Sequence, residues 1–574
     1  MKKTAAMKKA RAKRRPARGV DPVDPVLVEV IGNRLQVVCR EMLHSLIRAA
    51  FSTNIKERYD CGTAVFDLDG DQVALAAYPP LHLGGMRDVV RLLLREYPAA
   101  TLRPGDMFIT NDPYTGVSTH LPDIILVAPA FFRGRLAGYV ASNAHHSDIG
   151  GRVPGGQAPD SRSIFEEGLR IPLVRAFQGG KPVREILSIF KVNVRNPDER
   201  EADLNAQFAA NFVGIRGYQE VCERYGAALV TAASRAWVDA AEASLRDKLR
   251  RLPSTECVYE EKIEDDLSDL PATFRVKVQA RDGWLDVDFT GTSPAFEGAK
   301  NMPYIATVTT VWMVAKSMLD PHMPASEGAF RPLRVFAPPG TIVNPNPPSA
   351  VGERALSCQV LADVVMGAMS QLVPERALAE CGPHHGINIS GTNPRTGRYF
   401  ANHESFAGGM GARGTKDGIS ACRVHVAGSA NLPVEPLEAE LPVLIRRYEL
   451  RKDSGGAGMF RGGLGLRRDI EVVADEVRIT LRSERQIIPA HGREGGAAGA
   501  TGEFVLNPDT PGEERLPIFV SNRRFKRGDV ISIRTPGGGG YGDARQRPPD
   551  LAAADVRFGY VSDDAATEPQ GDSR

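Results

Sequence analysis

No stretch of the 574 residues reaches the roughly 18 consecutive apolar residues of a membrane span, so no membrane partner is expected. The basic start of the chain runs into polar GVDPVDP instead of an apolar core, which argues against a secretory signal. Cysteine is scarce. The seven cysteines are an odd number, scattered, and include no C-x-x-C pair, which excludes a disulfide framework and a thiolate zinc knuckle and predicts a reduced, cytoplasmic protein. No segment reads G-x-x-x-x-G-K-[ST], and no strand leads into G-x-G-x-x-G and a helix. The chain therefore has neither a phosphate-cradling loop nor a dinucleotide fold of its own. The basic residues of 1–19 lack interleaved aromatics and no nucleic-acid motif follows them, so nucleic acid is not expected as a partner either.

A hydrophobic share of 42% and a charged share of 25% are those of a globular protein, and the length calls for more than one core. The pattern predicts an α+β, multidomain chain. Residues 1–20 form a basic tail without apolar periodicity, expected to be disordered, and 21–252 an N-terminal domain of mixed helix and strand that carries a metal site. Apolar spacing predicts a long helix over 25–51, and TAVFDLDGDQVALAAY predicts a hairpin turning at Asp69-Gly70. Residues 201–252 read as helix, with breaks expected at Gly214 to Gly217 and at Tyr225-Gly226, closing the first half. From 253 to 545 the sequence is β-rich with one helical interval near 356–378, and its recurrent glycine clusters read as irregular loops. Residues 546–574 read as a polar, disordered tail.

The chemistry concentrates in 105–156, which holds three of the eleven histidines. His120 and Asp123 share the loop THLPD. A strand, turn and strand then lead to His145, His146 and Asp148, and a hairpin of that length returns its second end beside its first. Imidazole with carboxylate suits one divalent transition metal, zinc first, with manganese or iron(II) as alternatives. Cys61 adjoins this region but has no other nucleophile signature around it, so it reads as a buried filler.

Several long motifs in order carry a family resemblance: Asp60-Cys61 before a hairpin, HLGGM at 82–86, GDMFITNDPY, THLPD, NAHHSDIGG, EEGLRIP, VDFTGTSP, the long PVEPLEAELPVLIRRYELRKDSGGAGMFRGGLG and TPGGGGYGD. Over roughly 25–543 the chain resembles the B subunits of the hydantoinase and oxoprolinase family, and also the alpha subunits of acetone and acetophenone carboxylases. The resemblance implies metal ligands at Asp60, His120, Asp123 and His145. Asp60 comes from the resemblance alone, and the family's usual D-F-S reads Asp60-Cys61-Gly62 here. Asp112, His146 and Asp148 remain as residues that orient ligands or move protons, with His146 as general base and Asp148 beside it in the catalytic set.

The resemblance also implies a hetero-oligomer with a hydantoinase A-type ATPase subunit. That partner uses ATP to phosphorylate a small cyclic amide (a hydantoin, N-methylhydantoin, 5-oxoproline or another lactam), and the metal site completes a hydrolysis. A carboxylase alpha subunit is the alternative, although those chains are longer. A non-catalytic scaffold is a third reading, and the intact polar ligand set argues against it.

Overall fold

The computed structural model describes residues 23–563, so the basic tail of 1–20 lies outside the described residues. The fold is mixed α+β with several sheets and more than one core.

Seven antiparallel strands form the first sheet in the order β2-β1-β5-β4-β3-β6-β7. They are β1 (Cys61–Phe66), β2 (Gln72–Ala77), β3 (Met107–Thr110), β4 (Asp123–Phe132), β5 (Arg135–His145), β6 (Val174–Gln178) and β7 (Lys181–Pro182). Side chains alternate between two buried faces. Ile124, Leu126 and Ala128 of β4 join Leu35, Met42, Phe208 and Tyr218 of the helices Pro25–Ala49 and Pro197–Tyr225 on one face. Ile125 and Val127 point the other way, into a core with Phe66, Phe108 and the helix Val89–Glu96. Burial on both faces is why the central strand β4 is apolar from Ile124 to Phe132. The predicted β1–β2 hairpin is present, its turn held by Asp67 Oδ1, which accepts from the amides of Asp69 and Asp71 at 2.9 Å each.

The predicted helical stretch breaks only at Gly226 (φ 82°), between Pro197–Tyr225 and Ala227–Arg250. Gly214 and Gly217 lie inside the first of these helices. A Cβ on Gly214 would sit 2.3 Å from Met42 Sδ, so the glycine allows close helix approach instead of ending the helix. The second helix does not close a half. It reaches across, placing Leu245 and Leu249 in the core of the next unit.

That unit pairs a four-stranded sheet, β8 (Glu256–Ile263), β9 (Ala272–Arg281), β10 (Trp284–Asp288) and β11 (Leu333–Phe336), with two buried helices, Tyr304–Leu319 and Arg354–Met369. The second matches the expected helical interval but stops at Met369 instead of running on to 378. The first falls where the sequence predicts only β-rich structure. Its β-branched sequence conceals it, because it is apolar all round and shows no amphipathic period, while Thr309 and Thr310 turn their hydroxyls back onto the carbonyls of Ile305 (2.7 Å) and Ala306 (2.9 Å).

Two further sheets complete the chain. One is β13 (Tyr399–Phe406), β12 (His385–Thr392), β16 (Glu476–Arg482) and β19 (Val520–Lys526); the other is β14 (Val443–Leu450), β15 (Leu466–Val472), β20 (Val530–Arg534), β17 (Glu503–Leu506) and β18 (Glu514–Arg515). The glycine clusters are irregular loops, as expected, and these pack together as an ordered bundle. Segments 378–384, 407–414, 454–465, 489–500 and 536–542 lie side by side without forming strand ladders. Successive amides of the last one donate in turn to different neighbours: Gly537 to Ala500, Gly538 to Gly463, Gly539 to Glu380, Gly540 to Ala497 and Tyr541 to Phe460, at 2.9–3.0 Å. The direction repeats every three residues, the period of polyproline II, in which the backbone makes no internal hydrogen bonds and must find partners outside. Backbones this close leave no room for side chains: a Cβ on Gly409 would sit 1.9 Å from the Gly463 carbonyl oxygen.

The expected tail from 546 is also ordered as far as it is described. Helix Pro549–Arg557 docks through Asp555, which pairs with Arg461 (3.2 Å) and Arg547 (2.7 Å). An acidic side chain that looks featureless in the sequence is thus satisfied by arginines, one of them far away in the chain.

Candidate metal centre

The site grows out of the β4–β5 hairpin. Asp123 opens β4 and His145 closes β5, and the two are direct cross-strand partners, as the sequence spacing requires. Asp60, just before β1, is tied to the same place by its carbonyl, which accepts the His145 amide at 3.0 Å. The THLPD loop is held by the Ser118 hydroxyl, which contacts the carbonyls of His120 (2.9 Å) and Asp123 (3.1 Å). The structure thus brings Asp60, His120, Asp123 and His145 together, all buried, in two overlapping groups that share His145. Ligand atoms of His120, Asp123 and His145 lie within 4.8 Å of one another, as do those of Asp60, His145 and His403.

Supporting contacts orient each donor. His120 Nδ1 lies 3.2 Å from the Gly352 carbonyl, which turns Nε2 toward Asp123 Oδ1, 3.2 Å away. Neither of those two atoms has a hydrogen-bond partner although both are buried. Asp123 Oδ2 accepts from Thr119 Oγ1 (2.7 Å) and Arg354 Nη2 (2.9 Å), leaving Oδ1 for something else. Asp60 Oδ1 lies 2.8 Å from His82 Nε2, and His82 Nδ1 is 2.7 Å from Asn143 Nδ2. Asn54 Nδ2 contacts His145 at both Nδ1 (3.1 Å) and its carbonyl (2.7 Å).

The protonation states suit a cation. Burial pushes His145 down to about 3 and His120 down to about 4, in His120 with help from Arg354, so both are neutral donors near neutral pH. Burial works against charge on Asp123 and Asp60. Neighbouring His120, His82 and Arg354 overcome it at Asp123, and the His82 hydrogen bond with His145 and Arg58 overcomes it at Asp60, so both stay well below the usual carboxylate range. Two neutral imidazoles, two carboxylates and a facing pair of orphaned donor atoms fit a divalent transition metal.

A cavity of about 50 Å³ opens on the cluster. Asp60, His82 and His145 line one side, and Glu353, Arg354, His384, His403, Arg423 and Arg482 are among the residues of the other. His146 and Asp148, expected as the catalytic pair, do not line it. His146 follows His145 by one residue and so faces the opposite side, where Nε2 meets Gln207 Oε1 at 2.9 Å and the ring packs on Phe190. Asp148 spends both oxygens holding a turn, accepting from the amides of Gly150, Gly155 and Arg195 and from Arg195 Nη1. Asp112 likewise caps Tyr114 N at 3.0 Å and pairs with Arg170 at 2.9 Å. Cys61 is buried without a disulfide, its thiol pushed well up by burial and by Asp60, so it fits the filler reading.

Sequence reasoning missed His403, which stacks on His145 with ring centroids 4.8 Å apart, together with His82, Arg354 and His384. His82 had a signal in HLGGM. The others come from the chain beyond 350 and carried none, because only tertiary folding sets them against the hairpin.

Comparison with known proteins agrees with this architecture. The family model described as Hydantoinase B/oxoprolinase matches residues 24–544. The putative B subunit of a D-/L-hydantoinase from Pseudomonas sp. (strain NS671) is 31% identical over 96% of this chain and 95% of its own. The crystal structure of ATP-dependent caprolactamase from Pseudomonas jessenii superposes with a TM-score of 0.89 at 29% identity, covering 96% of this chain and 98% of that one. Acetone carboxylase in its nucleotide-free structure shares the fold, with a TM-score of 0.86 at 19% identity over 95% of this chain and 79% of that one. The chain belongs to the hydantoinase B/oxoprolinase family.

Proposed function

We propose that this hydantoinase B/oxoprolinase family member is the metal-bearing component of an ATP-dependent cyclic amide hydrolase, opening a hydantoin, 5-oxoproline or related lactam ring after a hydantoinase A-type partner has phosphorylated the amide oxygen. The observation that carries the reading is the buried set of Asp60, His120, Asp123 and His145, with His120 Nε2 and Asp123 Oδ1 facing each other unpartnered. The relatives support it: one is named as the B component of a hydantoinase and another as an ATP-dependent caprolactamase.

A lactam resists water because its nitrogen lone pair is delocalised, and phosphorylating the oxygen removes that protection. A metal held by the four residues would lower the pKa of a water and polarise the attacked carbon. Around it, the Gly352 carbonyl fixes the His120 ring, while Thr119 and Arg354 hold one oxygen of Asp123. We assign the role of general base to Glu353, since His146 does not line the cavity. It lines the cavity, its Oε2 is held by Arg482 Nε at 3.1 Å, its Oε1 is unpartnered, and burial raises its pKa. Water adds to the carbon that bears the phosphorylated oxygen and gives its proton to Glu353. The ring C–N bond then breaks, and the nitrogen keeps the electron pair and takes up a proton. A second water hydrolyses the resulting acyl phosphate to carboxylate and inorganic phosphate.

The test is turnover by the co-expressed pair with ATP and a panel of cyclic amides, with and without bicarbonate. Ring-opened amino acid, ADP and phosphate are expected. A carboxylated ketone formed only with bicarbonate would move the assignment to the carboxylase alternative.

A further inference from the structure

Two arginines beside the metal ligands make no ion pair with any carboxylate among the described residues. Arg58 is fully buried. Its Nη1 donates to Asn54 Oδ1 (2.5 Å) and to the His403 carbonyl (2.8 Å), both neutral, while Nε and Nη2 make no hydrogen bond. Arg423 lines the cavity, reaches the Ser405 carbonyl at 3.5 Å through Nη1, and leaves Nε unpartnered. Among the described residues neither makes an ion pair. The carboxylates close enough to be felt are engaged elsewhere, Asp60 with His82 (2.8 Å) and Glu404 with Arg468 (2.8 Å) and the Leu432 amide (3.2 Å). Burial, then Arg58 and Arg482, push Arg423 down to about 9.

An unpaired buried guanidinium group is strongly destabilising. Fixed water can satisfy the N–H groups without neutralising the charge. A cation at the neighbouring cluster makes the imbalance worse, since Asp123 is shared with Arg354 and Glu353 with Arg482, leaving little negative charge in reserve. The missing partner is therefore an anion, and one of more than a single charge. A phosphoryl group is dianionic near neutral pH and presents the oxygens that a guanidinium fork grips. Bicarbonate and carboxylates bring one charge only.

We propose that the cavity wall at Arg423, flanked by Ser405, Ser429 and His384 and within the field of the buried Arg58, is a phosphoryl subsite that seats the phosphate of the activated substrate next to the metal ligands. The assignment rests on the proposed ATP-dependent hydrolysis and deepens it. It gives the metal site and the phosphate separate holders, with Asp60 on the boundary, so that the attacked carbon lies between them.

The experiment titrates the full-length, metal-loaded chain with inorganic phosphate and with acetyl phosphate, read by calorimetry and by 31P line broadening. Dissociation constants of about 0.1–1 mM are expected, with the two ligands competing. Arg423→Met should weaken both by at least about tenfold, with metal content and melting temperature unchanged, and Arg423→Lys by less, since it keeps the charge without the fork. The subsite is overturned if the native chain binds neither ligand at about 10 mM, if Arg423→Met binds them as the native chain does, or if acetyl phosphate fails to compete. Failure of the proposed function reads differently: a complex that carboxylates ketones instead of opening lactams leaves these titrations intact.

Discussion

The first sheet and the glycine bundle solve the problem of a buried backbone in opposite ways. In the sheet, ladders satisfy the amides and both faces are filled by large apolar side chains, so Leu126 and Ile125 stabilise through contact area. In the bundle the contacts at the glycines are between backbones. Each backbone satisfies its neighbours, and the closeness of Gly409 to Gly463 or of Gly537 to Ser454 replaces side-chain packing. The sheet tolerates exchanges of similar volume. At glycines such as Gly409, Gly537 and Gly538 the bundle has no room for a Cβ, and it anchors the cavity wall, since β13 carries His403 and Ser405 and runs directly into 407–414.

The sharpest contrast between framework and chemistry is His120→Ala. It removes a donor without touching either scaffold, so bound metal should be lost and turnover of the complex should fall by at least ~100-fold; elemental analysis showing full occupancy would sink the ligand assignment. Gly538→Val strikes the bundle where a Cβ would meet the Met410 carbonyl oxygen at 2.3 Å. A loss of more than about 3 kcal/mol is expected, measured by urea unfolding, whereas Gly512→Ala, whose Cβ meets only Thr510 Oγ1 at 3.8 Å, should be neutral. Equal stability of these two variants would end the claim that backbone contact holds the bundle. Leu126→Ala should cost about 3 kcal/mol as a cavity in the sheet, with metal retained. Smallest of all, Cys61→Ala should leave turnover within about twofold and the native thiol inert to alkylation at neutral pH; loss of activity with metal still bound would give the thiol a chemical role.

What the sequence reveals follows the range of each signal. Asp123 and His145 can be paired because a hairpin is a local object whose register follows from its length. Asp60 emerges only from the family resemblance, since nothing in YDC marks a ligand. His146 misleads because adjacency in sequence suggests adjacency in space, whereas in a strand consecutive residues face opposite ways. Tyr304–Leu319 conceals itself by burial on every side, and the bundle by having no two- or 3.6-residue period to detect. Arg423, Arg58 and His403 meet the hairpin only through tertiary contacts, which no local pattern encodes.

The bundle also sets how the molecule responds to temperature. Exposing apolar surface raises the heat capacity on unfolding, while exposing polar backbone lowers it. The sheets, rich in the first kind of surface, lose their driving force as water is cooled. The glycine segments bury mainly the second kind, so their contribution should persist in the cold, and the wall they anchor beside the candidate metal site should be the part of the protein least prone to cold denaturation.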